Sequence, residues 1–120
     1  MERIDIIGNL VRDPEVRETD GGRYVCTFDV AVNRRVHGKD EARYYSVSAW
    51  EKLGETCSAY LAKGRKVFVS GRPDAQAWIG RSGEARGAIR ITANTVEFVS
   101  AAKDSAGDGY TEIDDDDLPV

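Results

Sequence analysis

The chain has 120 residues, which fits one domain with a modest hydrophobic core. Its apolar runs stop far short of the ~20 residues needed to cross a bilayer, and its first residues lack the basic region and apolar run of a signal peptide. We therefore expect a cytoplasmic protein without a membrane partner.

Two cysteines, Cys26 and Cys57, and one histidine, His37, are too few ligands for a zinc site, so we expect no metal or other cofactor. Buried free thiols are the favoured interpretation of the cysteines, because structural disulfides are unusual in a reducing cytosol. The sequence alone leaves an oxidised pair open. It contains no glycine-rich phosphate loop, nucleophile elbow or other recognisable catalytic motif, which makes an enzyme the weakest hypothesis.

The net charge of −4 conceals a division of the chain at Lys103. Residues 1–103 contain all 17 Lys and Arg residues against 14 acids, so this body carries about +3. Residues 104–120 contain seven acids and no base, which gives −7, and they have too few apolar residues for a core. We predict one domain over residues 1–103 and a disordered acidic tail over residues 104–120.

Strand signals dominate the body. Residues 3–11 predict a first strand that ends before Pro14, and residues 23–36 predict a long second strand after a glycine turn. Regular alternation gives the second strand an apolar core face and a polar face. The core face is formed by Tyr24, Cys26, Phe28, Val30 and Val32.

The third predicted strand, residues 43–50, has an unusual outer face. Tyr45, Val47 and Ala49 form a face apolar enough for a core. The opposite face sets two serines between two large aromatics, Tyr44, Ser46, Ser48 and Trp50. That arrangement is atypical of a solvated surface, and it makes the aromatics candidates for ligand contact.

Residues 51–63 predict the one helix, with a basic last turn at Lys63 followed by a C-terminal glycine, Gly64. Its apolar stripe would consist of Leu53, Cys57, Tyr60 and Leu61. Residues 66–71 and 88–99 predict two further strands, with a hairpin tip at residues 78–84. Successive strands with one short helix after the third favour a small, closed, all-β barrel.

Several segments together resemble the bacterial single-stranded DNA-binding protein family along nearly the whole chain. In family order they are IIGNLVRDPEVR (6–17), TFDVAVNR (27–34), WEKL (50–53), AYLAKGRKVFVSGR (59–72), AWIGRSGEAR (77–86) and the acidic end IDDDDLPV (113–120). The resemblance implies a five-stranded OB-fold Greek-key barrel, with a short helix between strands 3 and 4, that assembles as a homotetramer. It further implies a protein that binds single-stranded DNA without strong sequence preference and is not an enzyme.

The resemblance also implies roles for particular residues. The family's base-stacking aromatics map onto Tyr44, Trp50 and Trp78, and its basic positions map onto Arg3, Lys52 and Arg86. The chain departs from the family where many members have a tryptophan, at Val36, and where the approach to the last aromatic is usually basic, at Asp74, Gln76 and Ala77. These departures predict a lower affinity for DNA.

The residues themselves support part of this assignment. Exposed aromatics can stack on any base, although on the alternation alone the rings are equally consistent with packing under a loop or at a subunit interface. Four basic residues flank one polar loop, where clustering favours contact with DNA phosphates. They are Arg34, Arg35, Lys39 and Arg43.

The resemblance also implies that the acidic end is a docking segment for replication, recombination and repair proteins. Four carboxylates followed by an apolar end suit a basic rim around an apolar pocket. The segment comprises Asp114, Asp115, Asp116, Asp117, Leu118, Pro119 and Val120. Family tips typically end in phenylalanine, so Val120 predicts weaker docking. The alternative function is an OB-fold primosomal or protein-interaction module with weak DNA binding, since a fold does not fix a function.

Overall fold

The computed structural model describes residues 1–99. Six strands and one helix occur in the order β1 (Ile4–Leu10), β2 (Glu15–Glu18), β3 (Tyr24–Val36), β4 (Lys39–Trp50), α1 (Glu51–Tyr60), β5 (Lys66–Ile79) and β6 (Ala85–Phe98). Within this part of the chain no helix is long and apolar enough to span a membrane.

Five of the strands close into a barrel. β1 pairs antiparallel with both β5 and β3, β5 pairs with β6, and β4 pairs with β3. A parallel pairing of β4 with β6 completes the ring. The short helix follows the third barrel strand, which confirms the predicted five-stranded all-β barrel with its helix between barrel strands 3 and 4.

The second strand in chain order, β2, was not predicted. It lies outside the ring and pairs only with β3, from Glu15↔Thr27 to Glu18↔Tyr24. All four of its residues are exposed, so it has none of the alternation by which a half-buried strand is recognised. Pairing with a neighbouring strand, rather than burial, defines it.

The barrel interior is filled by the predicted alternating residues. On β3 and β4 the inward positions Phe28, Val30, Val47 and Ala49 are at most 3% exposed. β1 approaches β3 so closely that a Cβ at Gly8 would overlap the carbonyl oxygen of Ala31. Glycine at that position therefore permits the β1–β3 contact that closes the barrel.

Cys26 and Cys57 are fully buried free thiols, which confirms the favoured interpretation. Burial raises the pKa of Cys26, and burial together with the neighbouring Cys26 raises the pKa of Cys57 to about 12. Both thiols are therefore neutral near pH 7 and belong to the core rather than to a reactive site.

The predicted end of the helix was wrong. α1 ends at Tyr60, because Leu61 has an extended backbone, donates its N–H to the carbonyl of Cys57 and buries its side chain in the core. Tyr60 is 59% exposed and contacts the ring of Phe98 instead of joining an apolar stripe. Lys63 lies beyond the helix, which has no basic residue in its last turn.

The predicted polar loop between the second and third barrel strands is a two-residue turn. His37 and Gly38 have φ of 53° and 80°, the left-handed conformation that a tight hairpin turn requires. β4 therefore begins at Lys39 rather than at residue 43, and a long hairpin arm replaces the loop. β5 also continues beyond residue 71, to Ile79, where it forms the predicted hairpin with β6.

Candidate nucleic-acid interface

One side of the barrel presents a continuous polar and aromatic surface. Residues paired across neighbouring strands point to the same side of a sheet, so the register identifies the outward residues of β3, β4, β6 and β5. One row of partners is Asp29, Ser46, Arg90 and Asp74, and the next is Thr27, Ser48, Thr92 and Arg72. We call this surface the groove face; it comprises these two rows together with Tyr44, Trp50, Gln76, Trp78, Arg86 and Arg35.

Three aromatics occupy the groove face. Tyr44 is 63% exposed, Trp78 is 43% exposed and Trp50 is half-buried. Ser46 and Ser48 lie between Tyr44 and Trp50 on the same face of β4, as the sequence predicted. The exposure of Tyr44 and Trp78 shows that these two rings are not part of the barrel core.

Trp50 lies where β4 ends and α1 begins, and a cation covers its ring. The guanidinium carbon of Arg23 is 4.5 Å from the ring centroid. Arg23 also donates from Nε to Glu51 at 2.9 Å, and the same carboxylate accepts the backbone N–H of Tyr24 at 3.4 Å. The hydrogen bond from Arg23, followed by that from Tyr24, lowers the pKa of Glu51.

Arg90 lies within the groove face, although the sequence did not predict it as a site residue. Its Nε donates to Oε1 of Gln76, and its β4 neighbour is Ser46. With Arg12 and Arg17 it lines a groove of about 340 Å³ beside β2 and β3. Its position between Ile89 and the buried Ile91 marks Arg90 as an outward residue, and this alternation was the available signal.

Some predicted basic residues are already paired with acids on the surface. Arg3 meets Asp5 at 3.1 Å, Arg86 meets Glu84 at 3.1 Å, Arg35 meets Asp40 at 3.5 Å and Arg43 meets Glu41 at 3.9 Å. Both side chains are at least 40% exposed in every pair, so solvent screens these contacts and a phosphate can compete for the cation. Among residues 1–99, Arg34, Lys39 and Lys52 form no ion pair.

The predicted site residues do not all share one surface. Tyr44, Trp50, Trp78 and Arg86 lie on the groove face. Of the four basic residues along the β3–β4 hairpin, Arg35 lies on that side, whereas the alternation places Arg34, Lys39 and Arg43 on the other side.

The remaining two basic positions lie elsewhere. Arg3 precedes β1, which is not adjacent to β4, and Lys52 lies in the first turn of α1. The predicted docking residues, Asp114 to Val120, lie outside the described residues.

Comparison with known proteins identifies the family of this chain. A model of the single-strand binding protein family matches residues 1–99, which is every residue described above. The chain belongs to the single-strand binding protein family.

Individual relatives agree. The single-stranded DNA-binding protein of Clostridium tetani is 35% identical over 123 aligned positions, covering 98% of this chain and 85% of the relative. That of Thermotoga maritima is 38% identical over 102 positions, covering 81% of this chain and 72% of the relative. The crystal structure of a small single-stranded DNA-binding protein from Streptomyces coelicolor superposes with a TM-score of 0.70 at 26% identity, covering 80% of this chain and 92% of that one. The OB-fold barrel implied by the sequence is thereby confirmed.

Proposed function

We propose that this member of the single-strand binding protein family binds single-stranded DNA without strong sequence preference, and that it has no enzymatic activity. The observation that carries the proposal is the groove face, where exposed Tyr44 and Trp78 share one side of the barrel with Trp50 and Arg90. An unpaired base stacks on an aromatic ring whatever its identity, because every base has a π face. Bases in a duplex are already stacked and paired, so such a surface favours the unpaired strand.

The strand follows the groove face with bases toward the rings and phosphates toward the cations. Ser46 and Ser48 are small, so they leave space beside Tyr44 and Trp50 and offer hydroxyls to the backbone. Arg72, Arg86 and Arg90 are cations on this surface that could bind phosphates, while Arg35 extends the path onto the β3–β4 hairpin. Lys52 and the other basic residues of that hairpin, Arg34, Lys39 and Arg43, would contact DNA that leaves the groove face.

Acidic residues beside the cations of the groove face lower the affinity expected for DNA. Asp74 is the β5 partner of Arg90, Asp29 lies in the same row beyond Ser46, and Glu84 holds Arg86 at 3.1 Å. A phosphate must displace or tolerate these carboxylates, which supports the lower affinity predicted from the sequence. The same feature favours the second candidate, a protein-interaction module with weak DNA binding.

The proposal extends to assembly and partners. On the outer side of β1 and β5, Ile7 is 39% exposed and directly opposite the half-buried Phe68, an apolar patch that suits packing against a second copy. We propose that the chain assembles as a homotetramer. We also propose that replication, recombination and repair proteins dock on residues 114–120. Association with the nucleoid in the cytoplasm would follow from these activities.

A titration separates the two candidates. Labelled poly-thymidine and a duplex of matched length are each titrated with the full chain at several salt concentrations. We expect tighter binding of the unpaired strand, weakening with salt at a log–log slope of ~0.7 per neutralised phosphate. Equal affinity for the two DNAs would reject single-strand binding and favour the protein-interaction module.

A further inference from the structure

Trp50 differs from the other two aromatics of the groove face because its ring is covered. Val25 is the β3 partner of Trp50, and Arg23, two residues before Val25 and directly before β3, reaches the ring. Its guanidinium carbon is 4.5 Å from the ring centroid. A base that stacks on this side of the indole must take the space that Arg23 occupies.

Two anchors hold Arg23 over the ring. Its backbone exchanges hydrogen bonds with Thr19, accepting the N–H of Thr19 at 2.9 Å and donating to its hydroxyl at 3.3 Å. Its side chain is bound by Glu51, whose second carboxylate oxygen accepts the N–H of Tyr24. Glu51 has φ of 56°, a conformation that side-chain-bearing residues rarely adopt, so its carboxylate is held in place at some cost to the backbone.

The ion pair that anchors the Arg23 side chain to Glu51 is weak. The backbone hydrogen bonds of Arg23 with Thr19 remain intact when the guanidinium moves away from the ring. The side chains of Arg23 and Glu51 are 58% and 52% exposed, so solvent and salt screen their ion pair. A base that stacks on tryptophan replaces the cation over the ring with a larger apolar contact. The freed guanidinium remains beside the bound strand, where a DNA phosphate can accept its hydrogen bonds in place of the Glu51 carboxylate.

We propose that Arg23 is a displaceable cover on Trp50, which leaves the ring and Glu51 when a base stacks there and then binds a DNA phosphate. This inference rests on the proposed function. It makes Arg23 a DNA-binding residue and Glu51 a competitor that retains it in the free protein. The two halves of one ion pair should then affect binding in opposite directions, which a purely structural ion pair would not do.

The test uses full-length chains that carry Trp78→Phe, so that Trp50 is the remaining one of two tryptophans. Arg23→Met should increase acrylamide quenching of Trp50 in the free protein, while quenching in the poly-thymidine complex stays as in the parent. The same variant should weaken binding and lower the log–log salt slope by ~0.7, the loss of one phosphate. Glu51→Gln should instead tighten binding by about two- to fivefold.

Matched controls separate displacement from a change in net charge. Arg23→Lys should retain the parental salt slope, because it keeps the cation. Lys63→Met removes one positive charge away from the ring and should leave both the slope and the quenching unchanged. Glu55→Gln removes one negative charge one helical turn from Glu51 and should tighten binding less than Glu51→Gln does.

The outcomes distinguish this inference from the proposed function. If the parent binds poly-thymidine but Arg23→Met keeps its salt slope, or if Glu51→Gln weakens binding as Arg23→Met does, the ion pair is a structural brace and the inference is wrong. If the parent binds no single-stranded DNA at any salt concentration, the proposed function fails and this inference fails with it.

Discussion

Trp78 on β5 lies directly opposite Arg86 on β6, on the groove face and beside the hairpin tip. Nη1 of Arg86 donates to Glu84 at 3.1 Å, so a residue of the hairpin tip, directly before β6, holds this guanidinium. An exposed aromatic ring and a guanidinium thus belong to two paired residues. This arrangement allows one nucleotide to be bound through its base and its backbone together.

Replacing the exposed aromatics should weaken DNA binding without unfolding the barrel. We expect Trp78→Ala and Tyr44→Ala each to cost ~1–3 kcal/mol in binding poly-thymidine, the value of one stacked base. Tyr60→Ala is the control, since Tyr60 is 59% exposed but lies at the end of α1, outside the groove face. Fluorescence titration would measure the affinities, and normal binding by both groove-face variants would show that their rings have no stacking role.

Arg90 should contribute one phosphate contact. We expect Arg90→Gln to lower the log–log salt slope of single-strand binding by ~0.7 relative to the wild-type chain. Lys63→Gln removes the same charge from the exposed segment between α1 and β5 and should leave the slope unchanged. Filter binding between low and moderate salt gives both slopes, and equal slopes for Arg90→Gln and the wild type would remove Arg90 from the interface.

Closure of the barrel should depend on Gly8. A Cβ there overlaps the Ala31 carbonyl oxygen and crowds Val30, so Gly8→Ala must push β1 away from β3. We expect the free energy of unfolding to fall by about 1–3 kcal/mol, as for other overpacked sites. Gly21→Ala, where a Cβ meets no atom within 4 Å, should change stability by less than about 0.5 kcal/mol. Urea unfolding measures both variants, and similar midpoints would contradict the proposed crowding.

The faces of β3 and β4 could be predicted from the sequence because one side meets the core and the other meets water. Val47 and Ala49 are buried and Tyr44 is exposed, as their alternation indicated. Burial imposes a period of two on the chain, and that period is visible without knowing which strand lies next. β2 could not be predicted in this way, because none of its residues is buried and burial therefore imposes no alternation on it.

Contacts that depend on register could not be predicted in the same way. Arg23 covers Trp50 because Val25 pairs with Trp50, a fact about two segments 25 residues apart in the chain. The ion pairs of Arg3 and Arg86 with acids two residues away were visible as spacings, but the sequence did not show that their side chains would turn toward one another.

Acidification should remove the contribution of the ionised Asp5 carboxylate to the stability of the fold. The hydroxyl of Ser70 donates to Asp5 at 2.6 Å, and this bond, followed by that from Arg3, lowers the pKa of the carboxyl group below its usual 3.8. Because the folded-state pKa is depressed, the stabilisation is present above about pH 4 and is lost as the pH falls through the folded-state value. Asp5→Asn should flatten the decline in stability below pH 4.

The control for this pH dependence is Asp20→Asn, since the Asp20 side chain makes no hydrogen bond within residues 1–99. Thermal unfolding between pH 2 and 7 should show a shallower acid limb for Asp5→Asn and an unchanged limb for Asp20→Asn. Identical acid limbs in the wild type and Asp5→Asn would mean that the Ser70 and Arg3 contacts do not stabilise the ionised carboxylate.

The acidic end of the chain should compete with DNA for the groove face and dock partner proteins. Residues 104–120 carry −7 against about +3 for the rest, so a chain ending at Lys103 should bind poly-thymidine more tightly at low salt, with the difference vanishing as screening increases. It should also fail to capture replication or repair proteins from a lysate.

Two further variants separate the effect of the acidic charge from that of the apolar end. Changing Asp114 to Asp117 to asparagine should reproduce the tighter DNA binding, whereas changing Leu118 and Val120 to alanine should abolish capture and leave DNA affinity unchanged. Undiminished capture by the shortened chain would show that docking does not use this segment.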